Sequence, residues 1–443
     1  MTCDANALRT LAIMDRSCAA KPPSRAIMLL DRVAESRCQP GQQVFPQLTG
    51  IADRDSMGRI AHVRGFYFAA NAVLNVNAQA NDAVSSYQIL SSIWTSIFLE
   101  DVSGHLYWSD LLGGDLTDDG FCRAGRLVQW PYLSTGNQDT GAPPIVFPNY
   151  TPNGLPVNAG GPTQTVSASI YMPLVNPRPE ASPFEGLVPL SALRDATNGG
   201  LRFRVGSSLV GANGPTPPTG VSIDHLERVD GTRGMDVYID VVYLPSLVID
   251  AGWSVDSYTL TDTSTDLWHP DRTTEYVWLR YHTNDDAQAT NGLKGQLLAN
   301  NWNGLTLSVG GMTLASGYTL NDLRERNQIQ FTTDFQSATS FNNGAQDLPV
   351  TNPANRAQLL AAALLPHRGR ETSAGGPVNV RFQTRDATFS RYLHRTVRCH
   401  DEARMSRIGQ SARQRIGQIV SLDGRGRVFQ GNKPSAFMPV LAK

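Results

Sequence analysis

The chain has 443 residues, with 38 Lys and Arg against 39 Asp and Glu, and its formal net charge of −1 selects no nucleic-acid or membrane partner. That length gives ample room for a sizeable core and for two or three domains. Its five cysteines, Cys3, Cys18, Cys38, Cys122 and Cys399, contain no CxxC pair, which argues against a disulfide framework and a thiolate metal site.

No charged segment followed by an apolar stretch opens the chain, so no secretory leader is expected, and free thiols suit a reducing compartment. The apolar cluster Ala26–Leu30 is far too short to span a bilayer. Residues 1–40 interleave Leu8, Leu11, Ile13 and Met14, then Ile27, Leu29, Leu30 and Val33, with charged residues of both signs. Pro22-Pro23 divides this stretch, and the pattern predicts two helices in an N-terminal helical arm over residues 1–59. Such an arm docks on a neighbour, on a membrane or on its own domain.

The segment Ala61–Asp115 carries the clearest pattern. Ala72, Leu74, Val76 and Ala78 share one face, while Asn75, Asn77 and Gln79 share the other, as in a strand with one buried and one wet side. A polar break, a second apolar run and a turn ending in Gly104-His105 follow. Beyond the Gly/Pro/Asn-rich excursion Leu133–Pro162, a strand is expected at Thr165–Pro173. In Phe184–Leu193 a Gly turn and a Pro-Leu step lead into a short helix or turn. Leu201–Leu209 and Met235–Leu244 read as further strands, the latter with Val237, Ile239, Val241 and Tyr243 on one face. Residues 60–248 thus read as one jelly roll with long loops.

Residues 249–400 read as a second block of the same kind, although no residue-level repeat links the two. Strands are expected at Thr274–Thr283, Leu305–Val309, Gln328–Thr333, Val378–Thr384 and Phe389–Val397, with one helix at Pro353–Leu365. From Arg391 onward nine Arg and two Lys meet only Asp401, Glu402 and Asp423, a net of +8 against −9 for the first 390 residues. A basic tail, residues 401–443, therefore either contacts an anionic surface, membrane or nucleic acid, or is simply solvated.

Catalytic and metal constellations occur only as fragments. His394, Cys399 and His400 fit no zinc spacing, and Trp268-His269-Pro270-Asp271 with His282 reads as a turn and an exposed strand histidine. Asp118-Asp119-Gly120 is turn chemistry, and the Gly-Arg-Gly-Arg run from Gly424 lacks the ending of a phosphate loop. No GxSxG or HExxH occurs. The Asn149-Tyr150-Thr151 sequon is read as chance, and no cofactor is expected.

HVRGFYFAANAVLNVNAQ, YQILSSIWTSIFLED and VSGHLYW, followed by YMPL at Tyr171–Leu174 and GLVPL at Gly186–Leu190, carry a family likeness. They resemble the N-terminal jelly roll of double jelly-roll major capsid proteins, found in tectiviruses and other tailless, membrane-containing icosahedral viruses. The resemblance implies an all-β chain of two tandem eight-stranded jelly rolls with a helical N-terminal arm and a basic C-terminal tail. It implies a virion protein, made in host cytoplasm, whose homotrimers have a pseudo-hexameric outline and tile a shell. Its partners would be neighbouring trimers, vertex or minor capsid proteins and, through the tail, internal membrane lipids or genome. Arg404, Arg407, Arg413 and Arg415 would then be the anionic-surface contacts.

Two readings of other classes compete. A double jelly-roll glycan-cleaving hydrolase needs facing carboxylates, for which Glu100, Asp101, Asp240 and Glu275 are available. A lectin-like spike or vertex receptor-binding protein would use exposed tryptophans among Trp94, Trp108, Trp130, Trp253, Trp268, Trp278 and Trp302.

Overall fold

Ser24–Ala34, expected within a helical arm, is instead an eleven-residue strand, β1. The run Ala26–Leu30 has no period of its own, so sequence alone does not separate helix from strand there. A partner makes the choice. β1 pairs antiparallel with Gly234–Leu244, from Ser24 opposite Tyr243 to Ala34 opposite Gly234, with an irregularity between Leu29 and Asp31. Leu30 and Val33 are buried by that pairing.

The computed structural model describes residues 23–76, 83–84, 86–116, 119, 155–156, 163–175, 184–208, 221–250, 252–260, 264–267, 273–281, 302–309, 312–318, 378–384, 390–398, 401–416, 420–422 and 428–430. After β1 come β2 (Gln43–Val44), β3 (Ile60–Ala69), β4 (Asn71–Val76), β5 (Ala83–Val84), β6 (Trp94–Glu100) and β7 (Leu106–Leu111). Next are β8 (Leu155–Pro156), β9 (Thr163–Ser167), β10 (Ile170–Pro173), β11 (Val188–Pro189), β12 (Leu201–Val205), β13 (Val221–Glu227) and β14 (Gly234–Leu244). The second half contributes β15 (Gly252–Leu260), β16 (Ser264–Leu267), β17 (Thr273–Tyr281), β18 (Trp302–Val309), β19 (Met312–Tyr318), β20 (Val378–Thr384) and β21 (Ser390–Arg398). Helices α1 (Ser86–Ile93), α2 (Leu190–Arg194) and α3 (Glu402–Ile416) punctuate them.

In the first half one sheet runs β1-β14-β3-β10, and β2, β12, β6 and β7 lie in the order β2-β12-β6-β7 in the other. Apart from the β6-β7 pair, neighbours in each sheet are distant in the chain, the interleaving that two Greek keys produce in a jelly roll. The sandwich therefore begins at β1, ahead of residue 60. The strand expected over Thr165–Pro173 is two, β9 and β10, in different sheets. β13, β4 and β9 form a small sheet that continues β14, β3 and β10 in the same order. At the step, Ala70 accepts from the Ala168 N–H (2.9 Å) and donates to the Ser169 hydroxyl oxygen (3.2 Å).

The space between the two main sheets is filled by rings. Phe68 lies 4.3 Å from Phe203 and 5.1 Å from Trp94, and Phe66 lies 6.3 Å from Trp108. Val237, Ile239 and Val241 supply the facing wall, as their alternation predicts, and all three are fully buried. YMPL and GLVPL meet in space. Gly186, at φ +86°, sits so close to the Leu174 carbonyl that a Cβ there would lie 2.1 Å from its oxygen. Only glycine satisfies both demands.

Gln328–Thr333, Pro353–Leu365, Trp268–Asp271, His282, Cys399 and His400 lie outside the described residues, as do residues 1–22.

Candidate functional site

The sheet that holds β7 does not stop there. Its full order is β17-β21-β15-β7-β6-β12-β2, so seven strands from both halves form one sheet. β15 joins β7 in parallel, Val255 opposite Trp108 and Asp256 opposite Ser109. The ladder ends where β7 bulges at Asp110, which has φ +54°. A bulge bends a strand and raises its twist, which carries β7 away from its new partner.

Side chains reinforce this short ladder. Ser254 donates to the Leu106 carbonyl (2.7 Å), Trp253 and Tyr107 lie 4.9 Å apart, and His105 Nε2 donates to the Trp253 carbonyl (2.8 Å). The Arg395 guanidinium stacks over the Trp253 ring at 4.4 Å. The connection from β14 to β15 is fastened by His62. Its Nε2 accepts from the Val248 N–H (2.9 Å) and its Nδ1 donates to the Ile60 carbonyl (3.0 Å). Burial pushes the His62 imidazole down to about 4, so it is neutral in this role.

Helix α3 closes the junction. Asp401 caps it by accepting from the Arg404 N–H (3.0 Å), the geometry that satisfies an unpaired donor of the first turn. Met405, Ile408 and Ala412, three and four residues apart, form an apolar stripe against Ile60, Ala192, Leu247 and Ile249. Arg404 passes beneath the helix. Its Nε donates to Asp101 Oδ2 (3.1 Å), one terminal nitrogen to the Asp250 carbonyl (3.0 Å) and the other to the Tyr107 hydroxyl. Asp101 also accepts from the Tyr107 hydroxyl (3.1 Å) and from the Ser103 and His105 N–H groups (2.8 and 3.3 Å). Burial pushes the Tyr107 phenol far above its ordinary range. Burial also works against the Arg404 charge, but Tyr107 and Asp101 outweigh it and raise Arg404 above its ordinary value.

The four arginines expected at an anionic surface are therefore placed differently from one another. Arg404 is 3% exposed and is a buried tie, which withdraws it from that role. Arg407 is exposed and donates to the Ser103 carbonyl (3.0 Å). Arg415 pairs with Asp195, which also accepts from the Ser411 hydroxyl (2.5 Å). Arg413 is exposed. Residues 402–416 form a docked helix, where a tail was expected. The sequence alone does not single out Asp101, Tyr107 and Asp195 as its partners. The Asp401 cap and the 405/408/412 spacing were readable signals for the helix.

The carboxylates weighed for glycan cleavage are dispersed. Glu100 accepts from Asn198 and Arg202, Asp101 holds Arg404, and Asp240 in the opposite sheet accepts from Arg25 and Tyr171. Glu275 lies on β17.

No protein-family model and no curated protein matches the chain. Among solved structures it is similar to the STIV MCP (TM-score 0.42, 11% identity, 84% of this chain and 96% of that one). It is similar also to a chain from the atomic structure of Sulfolobus Turreted Icosahedral Virus (TM-score 0.43, 10% identity, covering 89% and 97%). A third is the Faustovirus major capsid protein (TM-score 0.37, 8% identity, covering 90% and 98%). Overlap at these TM-scores is loose, and the strand order of this chain is what carries the fold.

Proposed function

We propose that this chain is a capsid subunit of an icosahedral virus, a building block whose chemistry is packing. The observation that carries the reading is the seven-stranded sheet shared by both halves. It joins strands of both halves in one continuous sheet, and α3 packs beside the connection between the halves. The second half repeats the first in strand order. β15-β21-β17 parallels β1-β14-β3, and β16-β20-β18-β19 parallels β2-β12-β6-β7. Two similar units per chain suit a trimer with six-fold outline, a shape that tiles a plane.

The packed rings between the first pair of sheets favour this reading over a lectin or a hydrolase, whose work needs a cleft. Homotrimers, their placement in a virion, and contact between the tail and lipids or genome belong to the same proposal. For the last, Arg413 and Arg407 remain the contacts, since Arg404 and Arg415 are held within the chain. Light scattering on the purified protein tests the central claim, with trimers or larger shells as the expected species. A stable monomer that cleaves glycans overturns it, and fivefold assemblies with glycan binding and no lattice favour a vertex protein.

A further inference from the structure

The internal repeat leaves two strands with an unused counterpart. Within the chain, β7, last in β2-β12-β6-β7, is covered by β15, first in β15-β21-β17. The strand in the place of β7 in the second half is β19, and the strand in the place of β15 in the first half is β1. Both β19 and β1 end their sheets among the described residues. We infer that β1 of one copy pairs in parallel with β19 of a second copy, repeating between chains the contact that joins the halves within one. This rests on the capsid reading and names the contact through which copies associate.

The character of the edges supports it. Exposed edges invite pairing, and proteins blunt them with short strands, proline or charge. Four edges here are blunted in that way. β2 has two residues, β16 has four, and β10 has four with Pro173 at its end. β17 carries Glu275 and Arg280. β19 lacks such protection, and on β1 the charges Arg25, Asp31 and Arg32 flank the run between them, with Arg25 held by Asp240. β1 carries the uncharged run Ala26–Leu30, with Ile27 61% and Leu29 42% exposed. β19 is seven residues, Met312–Tyr318, with no charge. The later part of β1 is partly covered, since the Gln47 N–H reaches Asp31 (3.0 Å) and Gly50 lies against the Leu30 carbonyl. The open stretch is therefore Ser24–Leu29, longer than the two residue pairs that β7 and β15 share. The contact is heterologous, so repeating it closes a ring or runs on as a filament.

Hydrogen–deuterium exchange on the full chain, assembled and diluted to monomer, tests the pairing. Peptides covering 24–34 and 312–318 are expected to exchange at least tenfold more slowly in the assembly. The double variant Ile27→Lys/Leu29→Lys, at positions already exposed, is expected to raise the concentration needed for assembly at least tenfold with the monomer's circular dichroism unchanged. Trimers that form without protection of either peptide overturn the inference and leave the capsid reading standing. So does a double variant that assembles like the parent. Protection in the monomer of all the amides of 24–29, and not only the alternate ones that β14 holds, places a segment of the same chain on that edge and also overturns it. A chain that stays monomeric at every concentration overturns the capsid reading itself.

Discussion

Replacing Arg404 by Met separates the two roles this residue was weighed for. The side chain is buried, and removing it leaves Asp101, 0% exposed, without its cationic partner. Breaking a buried pair in this way costs about 3–5 kcal/mol, because the remaining charge stays desolvated. Asp101 keeps the Ser103 and His105 N–H groups and the Tyr107 hydroxyl as donors, which sets the expectation at the lower end, about 3 kcal/mol. Asp101→Asn strands the Arg404 charge in the same way and is expected to cost a similar amount. In the double variant neither charge is left alone. Its cost should fall short of the sum of the single costs by at least ~1.5 kcal/mol. Denaturant unfolding followed by tryptophan fluorescence reads this directly, since Trp108 and Trp253 are buried at the junction. Single costs that simply add, or an Arg404→Met cost under ~1 kcal/mol, refute the buried-tie argument. Loss of binding to anionic vesicles at unchanged stability restores the surface-contact role. Arg413→Ala is the control, with stability expected within ~0.5 kcal/mol of the parent.

Truncation after Gly409 removes Ser411, Ala412 and Arg415, and with them the bonds to Asp195 and Ser191. A tail reading has that truncation spare folding, whereas the docked helix predicts a lower thermal midpoint by calorimetry, and an unchanged midpoint refutes the docking. His62, held near 4 against an ordinary 6.5, binds fewer protons folded than unfolded between those values. Its contribution is therefore complete above pH 6.5 and declines as pH falls towards 4, by up to ~3 kcal/mol. His62→Asn should unfold more easily at pH 7 and show a shallower loss of stability on acidification. Gly206→Ala would set a Cβ 1.6 Å from the Ser92 carbonyl oxygen, a backbone atom that cannot yield cheaply. A loss of at least ~2 kcal/mol is expected in urea unfolding, while Gly104→Ala, with nothing within 4 Å but φ +81°, should cost only ~1 kcal/mol.

Strand content was readable because a sheet with one buried face writes its period into the chain. Val237, Ile239 and Val241 alternate with Tyr238 and Asp240, and all three fill the core, while Asp240 is buried on the other face by Arg25 and Tyr171. The turn residues were equally plain, and Gly186 does what its place in GLVPL promised. β1 was lost for the opposite reason. A five-residue apolar run satisfies both periods, and the strand that decides the matter begins at Gly234, some two hundred residues away along the chain.

The same separation hid the candidate site. Arg404 and Asp101 are 303 residues apart in sequence, and nothing local distinguishes an arginine that will be buried from one that will be solvated. The charge count reads as a basic tail, but Asp119, Asp101 and Asp195 turn Arg395, Arg404 and Arg415 inward. Of the residues expected to face an anionic surface, only those pointing away from Asp101 and Asp195 are still available to do so. Net charge of a segment predicts its partner only after the charges already spoken for within the fold have been removed. Here that leaves the assembly argument resting on edges and strand order, which electrostatics does not touch.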